Sequence, residues 1–495
     1  MIPFELRIIL VFLVSLFSVI FILPKIANIA KRIGLLDLPN ARKMHTKARP
    51  LVGGIGMVIA VIFTSLVFIP INGLRGYFLG LAILVFVGFL DDFKELAHQQ
   101  KFLAQIIATI AMIYFSKINL HTFGDLLGTG PVSLPAGNAT IWIITIFCVV
   151  GVTNAVNLID GLDGLAGGLS FIAFIFFAVH ASFAGAHTLM LLNLTLAGAV
   201  LGFLKFNWYP SVLFMGDAGS LCLGFSLAFM ALALTQGTNN ITSPVTALLI
   251  LAVPITDTIV VLFKRLLQRK SPFKPDKSHL HHIFLRYGMN RAQSVQVILA
   301  IGILLGSLSL LEPLYMIQEK WLFLLFAVYF FIYIAGSFYI VGLFKYSLRR
   351  RKNRQHLARS DLFSRFFYGA FDHFKLFRKK RRYNVYLAVQ CTSKGSDLIL
   401  HGHILNISQT GCMIKMPAFT DELITMTLSC ELLADEKTIN CSLGAEHLWV
   451  ANHEGSSFHG FRFHALNREK ATLLSNYLTT VAAQPHNYSK NKITA

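Results

Sequence analysis

Carboxylates, carboxamides and imidazoles gather at a few places in this chain of 495 residues, and their types and spacing suit work on charged oxygens. Asp91, Asp92 and Glu95 end one long apolar run. Asn154, Asn157, Asp160 and Asp163 end another, inside NAVNLIDGLDGLAGG, and Asp217 opens a third, inside FMGDAGS. On a helix, residues three or four apart share a face, so Asp91 with Glu95, and Asp160 with Asp163, are expected to set two carboxylates on one surface. Such pairs repel one another unless a cation sits among them, and oxygen donors around an open position suit Mg²⁺ or Mn²⁺. His279, His281 and His282 close the basic segment SPFKPDKSHLHH, with Arg265 shortly before it. Lys and Arg beside imidazoles suit phosphate oxygens, Arg as a bidentate fork and Lys as a point charge. Blander readings stand beside these: acids flanking an apolar run serve as interfacial charges, Asp217 as a plain N-cap, and histidines as surface groups or a zinc site. Zinc is the weaker of the metal readings, because aspartates rather than thiolates stand nearby. The six cysteines, Cys148, Cys222, Cys391, Cys412, Cys430 and Cys441, form no close pair and no secretory framework.

The elements that must carry these groups are membrane helices. Hydrophobic residues make up 55% of the chain and charged ones 14%, which excludes a fully cytosolic enzyme, a disordered chain and a secreted disulfide scaffold. About 20 apolar residues cross a bilayer. Eleven such segments are expected, centred near Val14, Ile62, Leu84, Ile110, Phe147, Ala173, Ala197, Ser226, Leu251, Gly302 and Tyr329. The connection from Pro24 to Pro50 holds seven Lys or Arg and the stretch from Lys264 to Arg291 holds eight, so by the positive-inside rule both face the cytoplasm, with the amino terminus outside. In that topology the acidic groups and the histidines named above all reach the cytoplasmic face, as a single site requires. NAVNLIDGLDGLAGG is poor material for a lipid-facing helix and is tolerated where backbone lines a cavity or a ligand.

Charge divides the chain in three. Residues 1–344 carry 22 Lys or Arg against 13 Asp or Glu, residues 345–382 carry 14 against 2, and residues 383–495 carry 8 against 9. The expected organisation is a membrane body over 1–345, a polybasic connector over 346–382, a small domain over 383–483 and a tail over 484–495. The connector interleaves six phenylalanines with its cations, a composition that lies on anionic lipid, each cation adding about 1 kcal/mol. Tethering to the bilayer makes nucleic acid the poorer partner. Beyond it, NVYLAVQC, LILHGHILNIS, GCMIKM and HGFRFHAL alternate as short strands and suit a small antiparallel β-barrel.

The ordered stretches PNARKMH, PLVGGIG, FLDDFKE, NAVNLIDGLDGLAGG, FMGDAGS and SPFKPDKSHLHH resemble the polyprenyl-phosphate N-acetylhexosamine-1-phosphate transferase family, its WecA-type branch most of all, across about residues 1–345. The resemblance implies an eleven-helix membrane bundle that moves a sugar 1-phosphate from a cytosolic UDP-N-acetylhexosamine to undecaprenyl phosphate with release of UMP, using Mg²⁺. It implies Asp217, Asp91 and Asp92 as metal neighbours, and Asp91, Asp92, Asp160, Asp163 and His279 in the reaction. Asn154 and Asn157 would line the cleft, His281, His282 and Arg265 would hold phosphates, and Lys43 and His45 would meet the lipid phosphate. Lys277 departs from the family pattern by standing where an arginine is usual. Phospho-MurNAc-pentapeptide transferases share the acidic motifs and are the near alternative; a transporter would carry its buried carboxylates near the midplane instead. Arg378 and Arg382, followed by NISQTG with Asn406, Ser408 and Gly411, resemble a PilZ domain, which implies cyclic di-GMP as a regulatory ligand. A membrane sensor without transferase activity would keep these motifs and lose the acidic ones. A homodimer is left open.

Overall fold

Polar breaks in the apolar sequence become the ends of helices. The computed structural model describes residues 3–37, 48–135, 137–236, 242–267, 279–286, 289–353, 383–393, 399–417, 425–434, 437–453, 456–464 and 466–483. These form two compact units, Met1–Leu376 and Phe377–Ala495.

In the first unit, α1 (Phe4–Ile33) leads to the paired antiparallel two-residue strands β1 (Leu36–Asp37) and β2 (Arg49–Pro50). Then follow α2 (Gly53–Phe68), α3 (Arg75–Lys94), α4 (His98–Ser116), α5 (Asn138–Ile159), α6 (Leu165–Phe183), α7 (His187–Asn207) and α8 (Gly216–Thr235). After these come α9 (Pro244–Ile250), α10 (Ala252–Leu267), α11 (Leu280–Arg286), α12 (Arg291–Ser309), α13 (Leu311–Tyr315) and α14 (Glu319–Asn353). α8 is buried at nearly every position and packs against α2, α3 and α5, so the bundle is built around the helix that carries Asp217. Phe21, Phe63, Phe86, Phe147 and Phe331 lie exposed on the bundle, and hydrocarbon is the surrounding that accepts such a surface.

The eleven expected segments all fall on helices, but the span count is lower by length and composition. Among the described residues eight helices are long and apolar enough to cross a membrane, and nine if α9 and α10 count as one broken span. α2 has 16 residues, and α4 opens on HQQK and carries Gln105, which makes it less apolar. The break at Leu251 has a local cause. Pro254 has no N–H for the carbonyl of Ile250, and the chain bends by 80° there. The protein is multi-pass all the same.

The second unit is a closed antiparallel barrel in the order β3 (Tyr383–Ser393), β4 (Ile399–Ser408), β5 (Gly411–Pro417), β8 (Ser456–Phe463), β7 (Lys437–His453) and β6 (Thr425–Ala434). Alternation puts Val389, Cys391, Ile404, Ile407, Ile414, Leu428, Leu443 and Phe461 inside. The sequence reading missed α15 (Arg468–Ala483), whose Leu474, Tyr477 and Leu478 recur at helical spacing and join that core.

Candidate active site

Asp217 is the second residue of α8, and the start of that helix is held from α3. Asp92 accepts the Asp217 N–H on Oδ1 at 2.8 Å and the Ala218 N–H on Oδ2 at 3.2 Å, so its carboxylate caps the positive end of α8. Glycine is required at 216: its φ is +73°, and a Cβ there would lie 2.3 Å from an Asp92 oxygen. Asp91, one residue earlier, takes the Leu96 N–H on Oδ1 at 2.8 Å and turns Oδ2 to Lys101 Nζ at 3.0 Å. The same Lys101 Nζ donates to Asp217 Oδ2 at 2.8 Å. Asn157, near the end of α5, donates to Asp217 Oδ1 at 3.3 Å and to Ser220 Oγ at 2.9 Å. Asn154 is paired with Gln105, its Nδ2 donating to Gln105 Oε1 at 2.6 Å, which ties α5 to α4.

Beside this cluster runs the segment between α5 and α6. Asp160 is its exposed first residue, within electrostatic reach of Asp217 and Asp163. Asp163 accepts from Arg49 Nη1 at 3.3 Å and from the Ser211 N–H at 3.1 Å; Arg49 also bonds Ser211 Oγ and lies over the Phe214 ring at 5.0 Å. His281 borders the same segment, since a Cβ on Gly161 would lie 2.3 Å from its Nε2. His279 Nδ1 meets Asp257 Oδ2 at 2.7 Å, and the rings of His279 and His281 are 5.9 Å apart and nearly parallel. Burial, and then the neighbouring His282, hold the His281 imidazole down to about 3, so it is neutral at cellular pH. Arg265 is buried near the end of α10.

Several expectations change with this geometry. Asp91 and Glu95 share no helical face, because α3 ends at Lys94 and Glu95 is its left-handed C-cap. Asp160 and Asp163 share none either, because α5 ends at Ile159 and α6 begins at Leu165. Asp92 holds a helix N-terminus through both oxygens, a capping part that the sequence did not show. Asp163 braces Arg49 and the Ser211 backbone, contacts that the sequence did not show. His281, being neutral, offers phosphate a single N–H rather than a positive charge. Lys43, His45, Arg378, Arg382 and residues 271–278 of the histidine segment lie outside the described residues. Sequence reasoning missed Lys101, Arg49 and Asp257. A charge inside an apolar run was the available signal for Asp257, in AVPITDTIVV.

No three His, Cys, Asp or Glu side chains among the described residues converge as a complete metal site. Mg²⁺, however, is usually held by one or two carboxylates with substrate phosphates and water filling the rest. Asp91 and Asp217 meet that need: both lie within 3.0 Å of one cationic nitrogen, so the space between them accepts positive charge. Among the barrel residues, Asn406 donates to Met413 Sδ at 3.7 Å, and Ser408 donates to the Gly411 carbonyl at 3.1 Å across the β4–β5 turn. Asn406 Oδ1 is buried without a hydrogen-bond partner.

Residues 74–235 match the model of glycosyl transferase family 4, and residues 377–480 match that of the PilZ domain. The chain is 34% identical over 340 residues to the undecaprenyl-phosphate alpha-N-acetylglucosaminyl 1-phosphate transferase of Escherichia coli K12, covering 66% of this chain and 91% of that one. It is 32% identical over 356 residues to the protein of the same name from Yersinia pestis, covering 69% and 96%. The PilZ domain of CeSA from a cellulose-synthesizing bacterium aligns over 21% of this chain and 99% of its own at 16% identity, with a TM-score of 0.17.

Proposed function

For a chain that belongs to the polyprenyl-phosphate N-acetylhexosamine-1-phosphate transferases of glycosyl transferase family 4, as this one does, we propose transfer of GlcNAc 1-phosphate from UDP-GlcNAc to undecaprenyl phosphate, with release of UMP. The reaction takes place at the cytoplasmic face of a bacterial inner membrane and begins a lipid-linked glycan. Cyclic di-GMP bound to the PilZ barrel through Arg378, Arg382, Asn406, Ser408 and Gly411 regulates it. The observation that carries the reading is the meeting of Asp91 and Asp217, from two helices, on Lys101 Nζ.

The chemistry follows from charge. An oxygen of the lipid phosphate attacks the β-phosphorus of the UDP-sugar, and the bond from that phosphorus to the UMP oxygen breaks. Two anions must therefore meet and a third must leave, so neutralising charge is the main task. Lys101 places its ammonium at the carboxylate pair, where it can turn to a phosphate oxygen. Asp91 and Asp217 would hold Mg²⁺, with Asn157 steadying Asp217. When bound, the ion screens the diphosphate and stabilises charge developing on the leaving phosphate. Asp92 sets the start of α8 and so the place of Asp217, and His279, just before α11, would face the phosphates. A phosphate monoester has its second pKa near about 6 and is mostly a dianion at neutral pH, so no base has to remove a proton from the acceptor. The test is UMP release by purified protein given undecaprenyl phosphate and Mg²⁺, with UDP-GlcNAc or UDP-GalNAc as donor. Lipid-dependent release with UDP-GlcNAc is expected; release with UDP-GalNAc alone would reassign the donor.

A further inference from the structure

We propose that Asp257 is a positioning residue for His279, locked in that part by Tyr333. The inference rests on the reading of His279 as a ligand of the nucleotide-sugar diphosphate.

Asp257 stands in α10 with 1% of its surface exposed, inside an apolar run. A carboxylate there is costly unless it is fully partnered. It has three donors from two parts of the chain. His279 Nδ1 lies 2.7 Å from Oδ2, the Leu280 N–H donates to Oδ1 at 2.8 Å, and the Tyr333 hydroxyl of α14 bonds the same Oδ1. The carboxylate thus grips the first residue of α11 by its backbone N–H and the residue just before it by its imidazole.

An imidazole with Nδ1–H fixed on a carboxylate has its tautomer and ring orientation set, and it presents Nε2 away from that carboxylate. The ring of His279 lies nearly parallel to that of His281, which borders Gly161 beside the acidic cluster. Tyr333, Asp257, His279 and His281 therefore run as one chain of contacts from α14 to the candidate active site. Lys264 Nζ, donating to the Ser337 carbonyl at 3.1 Å, ties α10 to α14 a second time. Among the described residues, Asp257 meets the site through His279 and Leu280, so its effect on a ligand passes through them.

The experiment is a double-mutant cycle on the full-length protein, read as the Kd for UDP by titration calorimetry. Asp257→Asn and His279→Ala are each expected to weaken UDP by about 10- to 100-fold, the loss usual when a residue that orients a ligand histidine is removed. Asp257→Asn added to His279→Ala is expected to weaken it no further, because the group it positions is gone. Equal losses in both backgrounds would overturn the proposal, as would unchanged affinity in His279→Ala. If Asp257→Asn does not fold, Tyr333→Phe removes one hydroxyl from the same carboxylate and carries the same cycle. In turnover the loss is expected in KM for the UDP-sugar, with KM for undecaprenyl phosphate unchanged. Wild-type protein that binds no UDP overturns both readings. Protein that shows the cycle in UDP binding but releases no UMP in the presence of the lipid overturns the transferase reading alone.

Discussion

At Lys101 the site makes its sharpest demand on one side chain. Lys101→Ala leaves Asp91 and Asp217 facing each other with the bridging ammonium gone, and turnover is expected to fall by about 100- to 1000-fold, the range for losing one fixed electrostatic partner of a reacting group. UMP release over time measures it, and a fall of less than about threefold would contradict the assignment. Asp217 and Asp92, which meet at the start of α8, are expected to separate in behaviour. Asp217→Asn should raise the Mg²⁺ needed for half-maximal activity, whereas Asp92→Asn should keep that requirement. Asp92→Ala should cost about 1 kcal/mol at the start of α8, as lost N-caps do. An unchanged Mg²⁺ requirement in Asp217→Asn would remove Asp217 from the metal. Residue types announced the acidic groups, yet roles were legible only in part. DD reads as two equal carboxylates in sequence, and only the approach of α3 to α8 shows that one caps a helix while the other meets a lysine.

Helix existence was legible from apolar run length, and helix ends were less so. Asp160 and Asp163 were read as one face because a helical period was extended four residues too far, past Ile159, where a glycine-rich segment takes over. Lys101 was not legible, since nothing in the local pattern says that the turn after Lys94 brings it back onto Asp91. α15 was missed for the opposite reason: its apolar positions are sparse, and strands fill the sequence before it. Leu474 is fully buried there, and Leu474→Ala should cost the barrel about 2–5 kcal/mol. β7 and β8 also hold a histidine pair, His447 Nε2 and His459 Nδ1 lying 3.1 Å apart, which requires one ring to donate and the other to accept. Burial, and then His447, hold His459 below its ordinary 6.5. The unfolded chain therefore takes up the proton more readily than the barrel does, and stability falls as the pH drops below about 6.5. Protection factors of the β7 and β8 amides in the full-length protein, corrected for the intrinsic pH dependence of exchange, should be lower at about pH 5.5 than at about pH 7.5, and a His459→Gln variant should lose most of that difference; equal protection at both would contradict it.

Taken whole, the chain joins a multi-pass transferase body to a PilZ barrel through the most basic stretch of its sequence. Arg382→Ala should abolish cyclic di-GMP binding while leaving the membrane body's UMP release in the absence of the nucleotide intact. Unchanged affinity would mean that the ligand does not use this motif. A multi-pass body followed by a small barrel was legible because long apolar runs give way to strand alternation, whereas the span count was not, because α2 is short, α4 is polar at its start, and the ninth run breaks at Leu251. The central claim is that a phosphoryl-sugar, and not the sugar alone, moves to the lipid. Purified protein given undecaprenyl phosphate and UDP-GlcNAc labelled in its β-phosphate tests that directly. The account predicts that the label enters the lipid and unlabelled UMP is released; labelled UDP appearing in solution with sugar on the lipid would contradict it.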